Sequence, residues 1–223
     1  MRVYHLLSSQ NALSDISLKR LRISRYGDLN DPFELFAGNL GDKRYRQAVR
    51  SWKDEFNKTK GLMCFSKKWE NPVLWSHYGA KHRGICLGFD INDSFAIPIE
   101  YSDQRLPVEF ENDDPSKGIK EDYVRRLVCT KFEHWRYEDE VRLIVGLDEG
   151  TVEDGSYFYP FSQELELREV VLGPLCQIPI EAVRSLVASI YQGVVVRKAR
   201  LAFKWFTVVP DERFENGRSR EDA

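Results

Sequence analysis

Apolar and polar positions alternate along the chain in blocks that predict most of its elements. Val3 to Leu7 is a short apolar strand, and Ser8, Ser9 and Asn11 cap a following helix that carries Leu13 and Ile16. Between Asp42 and Lys58, Tyr45, Val49, Trp52 and Phe56 recur at helical spacing in an otherwise charged stretch, the signature of an amphipathic surface helix. Gly61 to Ser66 reads as a buried strand. Asn71 and Pro72 then supply an N-cap and a first-turn proline for a helix holding Trp75, His77 and Tyr78, with Gly79 near its end. Gly84 to Phe89 and Ile97 to Tyr101 are further strands, separated by the turn formers Asn92, Asp93 and Ser94.

The second half continues the pattern. Asn112 to Gly118 is a polar break and the one candidate for an internal linker; it precedes a helix on which Ile119, Tyr123 and Leu127 keep the period. Glu140 to Val145 alternates as a strand does, Val170 to Leu172 is another, and Ile180 to Ile190 is a helix. Val194 to Val196 and Phe203 to Val209 close the sheet. Asp211 to Ala223 is charged and almost without apolar residues, so it is expected to fray into solvent. The expected fold is α+β: a mixed, largely antiparallel sheet with flanking helices, in a single domain over residues 1–210 and without internal repeats.

Composition narrows the function classes. With 42% hydrophobic residues in 223, the chain can bury a sizeable core in one large domain or two small ones. Lys and Arg number 33 against 35 Asp and Glu, and no basic stripe stands out, so a bulk electrostatic grip on nucleic acid is not indicated. There is no run of about 18 apolar residues and no signal-peptide stretch at the start, so no membrane association is expected and a cytoplasmic location is the default. Cys64, Cys86, Cys129 and Cys176 form no C-x-x-C pair and read as buried free thiols. His77 and His82 stand five apart with no third ligand nearby, which gives a metal site little support. The phosphate-cradling G-x-x-x-x-G-K-[ST] and G-x-G-x-x-G patterns and the hydrolase G-x-S-x-G are absent.

The run Trp135-Arg-Tyr-Glu-Asp-Glu-Val-Arg142 carries the strongest chemical signal. On a strand, Glu138 and Glu140 would share one face about 7 Å apart, repelling each other unless a cation or polar ligand stands between them. Lys131, Arg136 and Arg142 are close in sequence. One reading is a solvated strand face; the other is a carboxylate that acts on a substrate hydroxyl or on a developing positive charge, as in glycosidic cleavage. Trp75 and Tyr78, three apart on a helix, either pack on the sheet or stack a planar group. His5 faces a ligand or hydrogen-bonds in the core, and Ser66 ends a strand, where functional groups often gather.

Together, Leu29-Asn-Asp-Pro-Phe-Glu34, Cys64-Phe-Ser66, Asn71 with Trp75-Ser-His-Tyr78, His82 to Phe89 and Lys131 with Trp135 to Arg142 resemble the bacterial DUF2971 family, in matching order over roughly residues 3 to 210. A more distant similarity is to ADP-ribosyltransferases, which implies their split sheet. There a His or Arg on the first strand, a Ser or aromatic on a middle strand and a Glu on a later one fall in the order of His5, Ser66 and Glu140. This sequence departs from that pattern in having Cys-Phe-Ser on the middle strand and His rather than Arg on the first. The similarity implies NAD as substrate, with Glu140 stabilising the cation-like transition state as nicotinamide leaves. Glu138 would orient an unknown macromolecular acceptor, His5 would contact a ribose hydroxyl, Ser66 would support Glu140, and Tyr78 or Trp75 would stack on nicotinamide. The alternative is a non-catalytic ligand- or partner-binding module of a bacterial defence or stress system. A nuclease is a third idea, for which the carboxylates offer no metal-ligand pattern.

Overall fold

In a computed structural model of the chain, the structure describes residues 1–214. Its strands are β1 (Arg2–Leu7), β2 (Arg20–Ile23), β3 (Lys60–Ser66), β4 (Ile85–Ile91), β5 (Ile97–Pro98), β6 (Glu100–Ser102), β7 (Thr130–Phe132), β8 (Glu140–Gly146), β9 (Thr151–Glu153), β10 (Ser156–Pro160), β11 (Leu165–Leu172), β12 (Val195–Leu201) and β13 (Val208–Pro210). Its helices are α1 (Ser9–Leu18), α2 (Lys43–Thr59), α3 (Pro72–His77), α4 (Glu121–Cys129) and α5 (Ile180–Ile190). The fold is therefore mixed α+β, with largely antiparallel sheets and flanking helices. Two compact units form, each from separated stretches: Met1–Leu21, Phe65–Phe95 and residues 160–214 make the first, and Arg22–Cys64 with Ala96–Tyr159 the second. Asn112 to Gly118 lies within the second unit rather than at a border.

In the first unit the strand order is β13-β12-β11-β4-β1. β1 runs antiparallel to β4, with Val3 opposite Phe89 and His5 opposite Leu87, and Tyr4 on its other side pairs with Ser66. β4 is buried at six of its seven positions, as suits a central strand covered on both faces. β11 and β12 are parallel and joined through α5, the crossover that parallel pairing requires. Local caps set the helix boundaries. Ser8 Oγ accepts from the Asn11 N–H at 3.2 Å to start α1, Lys19 ends it in the left-handed region (φ 52°), and Asn71 accepts from the Val73 N–H at 2.9 Å to start α3.

In the second unit β3, β8 and β5 lie side by side in that order, and β6 pairs parallel with β7. Tyr26, Leu35, Leu62 and Val128 make a core on which Trp52 and Phe56 of α2 pack, so the amphipathic face expected of that helix is its buried face.

Three expectations need correction. The strand expected over Ile97 to Tyr101 is two: β5 pairs with β8 while β6 pairs with β7. Pro98 brings no N–H to a ladder, which suits β5 to the edge of its strand order. Phe203 to Phe206 is not strand. β13 spans only Val208–Pro210 against Ala199 to Leu201, and the Ala202 N–H to Thr207 O bond at 3.0 Å closes a hairpin whose tip exposes Phe203, Trp205 and Phe206. Nor does the chain fray from Asp211. That side chain is buried, its backbone N–H donates to Lys198 O at 2.7 Å, and Glu212–Phe214 forms a short turn; the remainder of the expected tail, 215–223, lies outside the described residues.

β2 and the β9–β10 hairpin have no counterpart among the elements expected from the apolar pattern. The hairpin turns on Asp154 and Gly155, both at positive φ (48° and 75°), and an Asp-Gly pair is its standing signal. Thr151, Val152 and Glu153 are all exposed and show no alternation to mark a strand.

Asp15 of α1 is buried in the first unit. Burial pushes its carboxyl up to about 7, with Arg20 opposing. Because the folded value lies above the unfolded one, the folded state holds the proton more tightly, and stability falls as pH rises from about 4 to 7. Asp15→Asn should therefore melt higher than the wild type at pH 8, by on the order of 1 kcal/mol or more, and match it near pH 4. Thermal unfolding at the two pH values measures this; an equal difference at both would refute it.

Candidate functional site

The centre of the second unit is a guanidinium. Arg142 sits inside the apolar alternation of β8 and is wholly buried, so each of its five N–H groups needs an acceptor. Each finds one. Nε donates to Glu140 Oε1 at 2.7 Å, and Nη2 to Glu140 Oε2 at 3.2 Å and Glu34 Oε1 at 2.6 Å. Nη1 donates to Glu34 Oε2 at 3.0 Å and to Val128 O at 3.1 Å. The result is a bidentate clamp on two carboxylates at once.

Lys131 on β7 supplies the second cation. Its Nζ donates to Glu138 Oε2 at 2.6 Å and Glu140 Oε2 at 3.1 Å, stands 3.6 Å from Glu34 Oε1, and lies 4.8 Å from the centre of the Trp135 ring. Burial alone would lower this ammonium's pKa, but the carboxylates of Glu140, Glu138 and Glu34 outweigh it and hold it above its usual range. Burial likewise works to raise the Glu140 carboxyl, yet Arg142 and Lys131 prevail and bring it down to about 2. Glu140 is an anion at every physiological pH.

The shape of the chain brings these groups together. Glu138 ends a 3-10 turn over Glu133–Glu138, and Asp139 adopts the left-handed conformation (φ 44°, ψ 51°) before β8 begins at Glu140. The two glutamates therefore do not share a strand face as the alternation implied. The left-handed residue re-aims the chain so that both reach one ammonium. Glu34 arrives from a tight turn in which Asp31 Oδ1 accepts the Phe33 N–H at 2.9 Å and Leu35 takes φ 62°. Lys53 of α2 anchors that turn by donating to Glu34 O at 2.8 Å. Tyr101 of β6 accepts the Glu140 N–H on its hydroxyl at 2.8 Å. Cys64 donates its thiol hydrogen to Glu140, and burial together with that carboxylate pushes the thiol's pKa well up.

Three buried carboxylates thus face two buried cations. Glu34 and Lys131 also line a cavity of about 270 Å³, together with Asp31, Asp103, Phe33 and Phe132. Glu138 and Glu140 stand behind that wall and do not line it. Lys131 was singled out in the sequence only as a neighbour, and Glu34 only as part of a turn. A charged residue breaking an apolar strand, as Arg142 breaks Val141 to Val145, was the available sign of a buried ion cluster. Arg136, the other expected helper, is exposed and pairs with Glu133.

The remaining expected residues belong to the first unit. His5 on β1 is partly exposed, with its ring edge-on to Phe65 at 5.7 Å. Ser66 is buried and accepts the Lys68 N–H at 3.2 Å. Trp75 is wholly buried, donating Nε1 to Trp69 O at 2.6 Å, so its ring is core packing in this structure. Tyr78 closes α3, partly exposed, beside His77. Among the described residues, no cluster of three or more His, Cys, Asp or Glu side chains could hold a metal ion, and no helix is long and apolar enough to cross a membrane. None of the four cysteines is in a disulfide; Cys86 and Cys176 are buried, and Cys64 and Cys129 are partly exposed.

A family model described as a protein of unknown function, DUF2971, matches residues 74–143. That span includes Trp75, Tyr78, Lys131, Glu138, Glu140 and Arg142, while the runs around Glu34 and Ser66 lie outside it. No curated protein and no solved structure matches the chain.

Glu140→Gln puts a neutral amide, with N–H donors of its own, where a carboxylate accepts from both Arg142 and Lys131, a loss of about 3–5 kcal/mol in a buried site. The folded pKa of Glu140 lies below its unfolded value, so its contribution is present above about pH 4.5 and is lost as pH falls toward 2. Denaturant titrations of wild type and variant should differ most at pH 7 and converge in acid. A gap independent of pH would show that charge is not the cause.

Proposed function

We propose that the cavity of the second unit binds NAD and that the chain breaks the nicotinamide-ribose bond there, passing ADP-ribose to a macromolecular acceptor or to water. The observation that carries this reading is the surplus of buried negative charge behind a cavity wall that includes Glu34. Cleavage at a glycosidic carbon builds positive charge on the ribose, and an ordered negative potential in a water-poor site stabilises that charge. The nicotinamide ring is itself cationic, and Phe33 and Phe132 on the same cavity offer it aromatic faces. Asp31 and Glu34 meet the ribose, and Glu138 and Glu140 act as fixed anions behind them. A carboxylate held near pKa 2 is a poor proton acceptor, so Glu140 serves by its charge and not by moving a proton. The ADP-ribosyltransferase-like form of the sheet is part of this proposal; His5, Ser66 and Tyr78 belong to the first unit and none of them lines this cavity.

A second reading is binding without turnover, as in a ligand-sensing module. It is favoured by the saturation of Glu140, whose two oxygens are already engaged by Arg142 and Lys131.

Purified protein incubated with NAD, alone and with cell extract as a source of acceptor, should release nicotinamide. Glu34→Gln should slow release about 100-fold, the scale of losing one transition-state electrostatic partner, and a melting curve of each variant separates this effect from unfolding. Release that is unchanged in both folded Glu34→Gln and folded Glu140→Gln would remove the carboxylates from the mechanism. Calorimetric binding of NAD with no release would establish the second reading in place of the first.

A further inference from the structure

Beside the acidic cavity lies a second one, of about 370 Å³, with the opposite charge. Arg46, Arg50 and Arg105 line it with Phe33 and Phe36, and no carboxylate does. Elsewhere arginines meet acids: Arg2 pairs with Asp90, Arg44 with Asp42, Arg126 with Glu109 and Arg197 with Glu169. Among the described residues, none of these three has an acidic partner within ion-pairing distance.

Two of the three guanidinium groups are nonetheless held in place. Arg46 donates Nη1 to Leu40 O and to Gly41 O, both at 2.8 Å, which fixes the group and leaves Nε and Nη2 for another acceptor. Arg105 donates Nη1 to Phe36 O, and its guanidinium carbon sits 4.8 Å from the centre of the Phe33 ring. Arg50, exposed on α2, makes no such bond among the described residues. Asp42 acts on Arg46 at longer range, but three guanidinium groups lining one recess with no carboxylate on its wall favour an anion there, and the planar fork of Arg matches phosphate oxygens. Phe33 is 54% exposed, so part of its ring remains open to a planar base.

We propose that this arginine-lined cavity binds a nucleoside diphosphate, its phosphates on Arg46, Arg50 and Arg105 and its base against Phe33 and Phe36. The identification of that group as the ADP half of NAD rests on the preceding reading; the charge and the rings do not. Phe33 and Arg105 line both cavities, so a dinucleotide spanning them would place its anionic middle on the arginines and its cationic ring on the acidic side.

The test is calorimetric titration of the full chain with ADP, adenosine and inorganic pyrophosphate, and separately of NAD with nicotinamide release followed. ADP should bind, more weakly as salt rises. Arg50→Ala and Arg105→Ala should each weaken it at least tenfold and Arg50→Glu more, while Arg50→Lys restores part of the loss. Arg50 is exposed, so its variants should keep the wild-type melting temperature. Pyrophosphate bound as tightly as ADP would overturn the role of the rings. Absence of ADP binding, or binding indifferent to Arg50→Glu, would overturn the site. Arginine-dependent ADP binding with no binding or cleavage of NAD would sustain this inference and sink the NAD reading, and NAD cleavage with arginine-independent ADP binding would do the reverse.

Discussion

A buried guanidinium with every hydrogen donated is the constraint around which the second unit is organised. Placing Arg142 in the middle of β8 without partners would cost several kcal/mol, so the surrounding chain has to deliver acceptors in fixed directions. The turn that presents Glu34, the left-handed Asp139 that turns Glu138 and Glu140 toward one ammonium, and the Val128 carbonyl at the end of α4 are all read most simply as answers to that demand. A hydrophobic side chain at position 142 would need none of them. The arrangement is thus better understood as specification of geometry than as a source of stability, since ion clusters of this kind rarely outperform apolar packing.

What the clamp specifies is a charge distribution. Arg142 and Lys131 leave one negative charge unmatched among the five groups, and Glu34, though buried, is the member of the cluster's carboxylates that forms part of the cavity's lining. Across Phe33 the sign reverses, because three arginines and no carboxylate line the second recess. Two adjoining recesses of opposite sign in one unit favour a ligand that itself carries both signs, and that is the common ground of the two functional proposals.

Much of this was legible in the sequence. The apolar period placed α2 and α4, and the cap residues Ser8 and Asn71 marked helix starts through the hydrogen bonds they make. The carboxylates of the E-x-E run drew attention correctly to a charged centre, but their geometry was out of reach. Sequence spacing assumes a regular strand, whereas Asp139 breaks it with a positive φ that no residue type makes obligatory. Nor does any local pattern announce that Glu34 meets Arg142. The aromatic run at Phe203 to Phe206 misled for a related reason: its composition suits a strand, but the hairpin between β12 and β13 needs a tip, and those residues occupy it.

The long separation between Glu34 and Arg142, 108 positions apart, also has a kinetic side. Lys131, Glu138, Glu140 and Arg142 lie within one short stretch and can meet early, after closing only small loops. Glu34 must be brought in across a far larger one, which slows the encounter. A guanidinium without that partner keeps one face hydrated, and Glu34 takes the place of that water. Closing the clamp and drying the centre of the unit are then a single event.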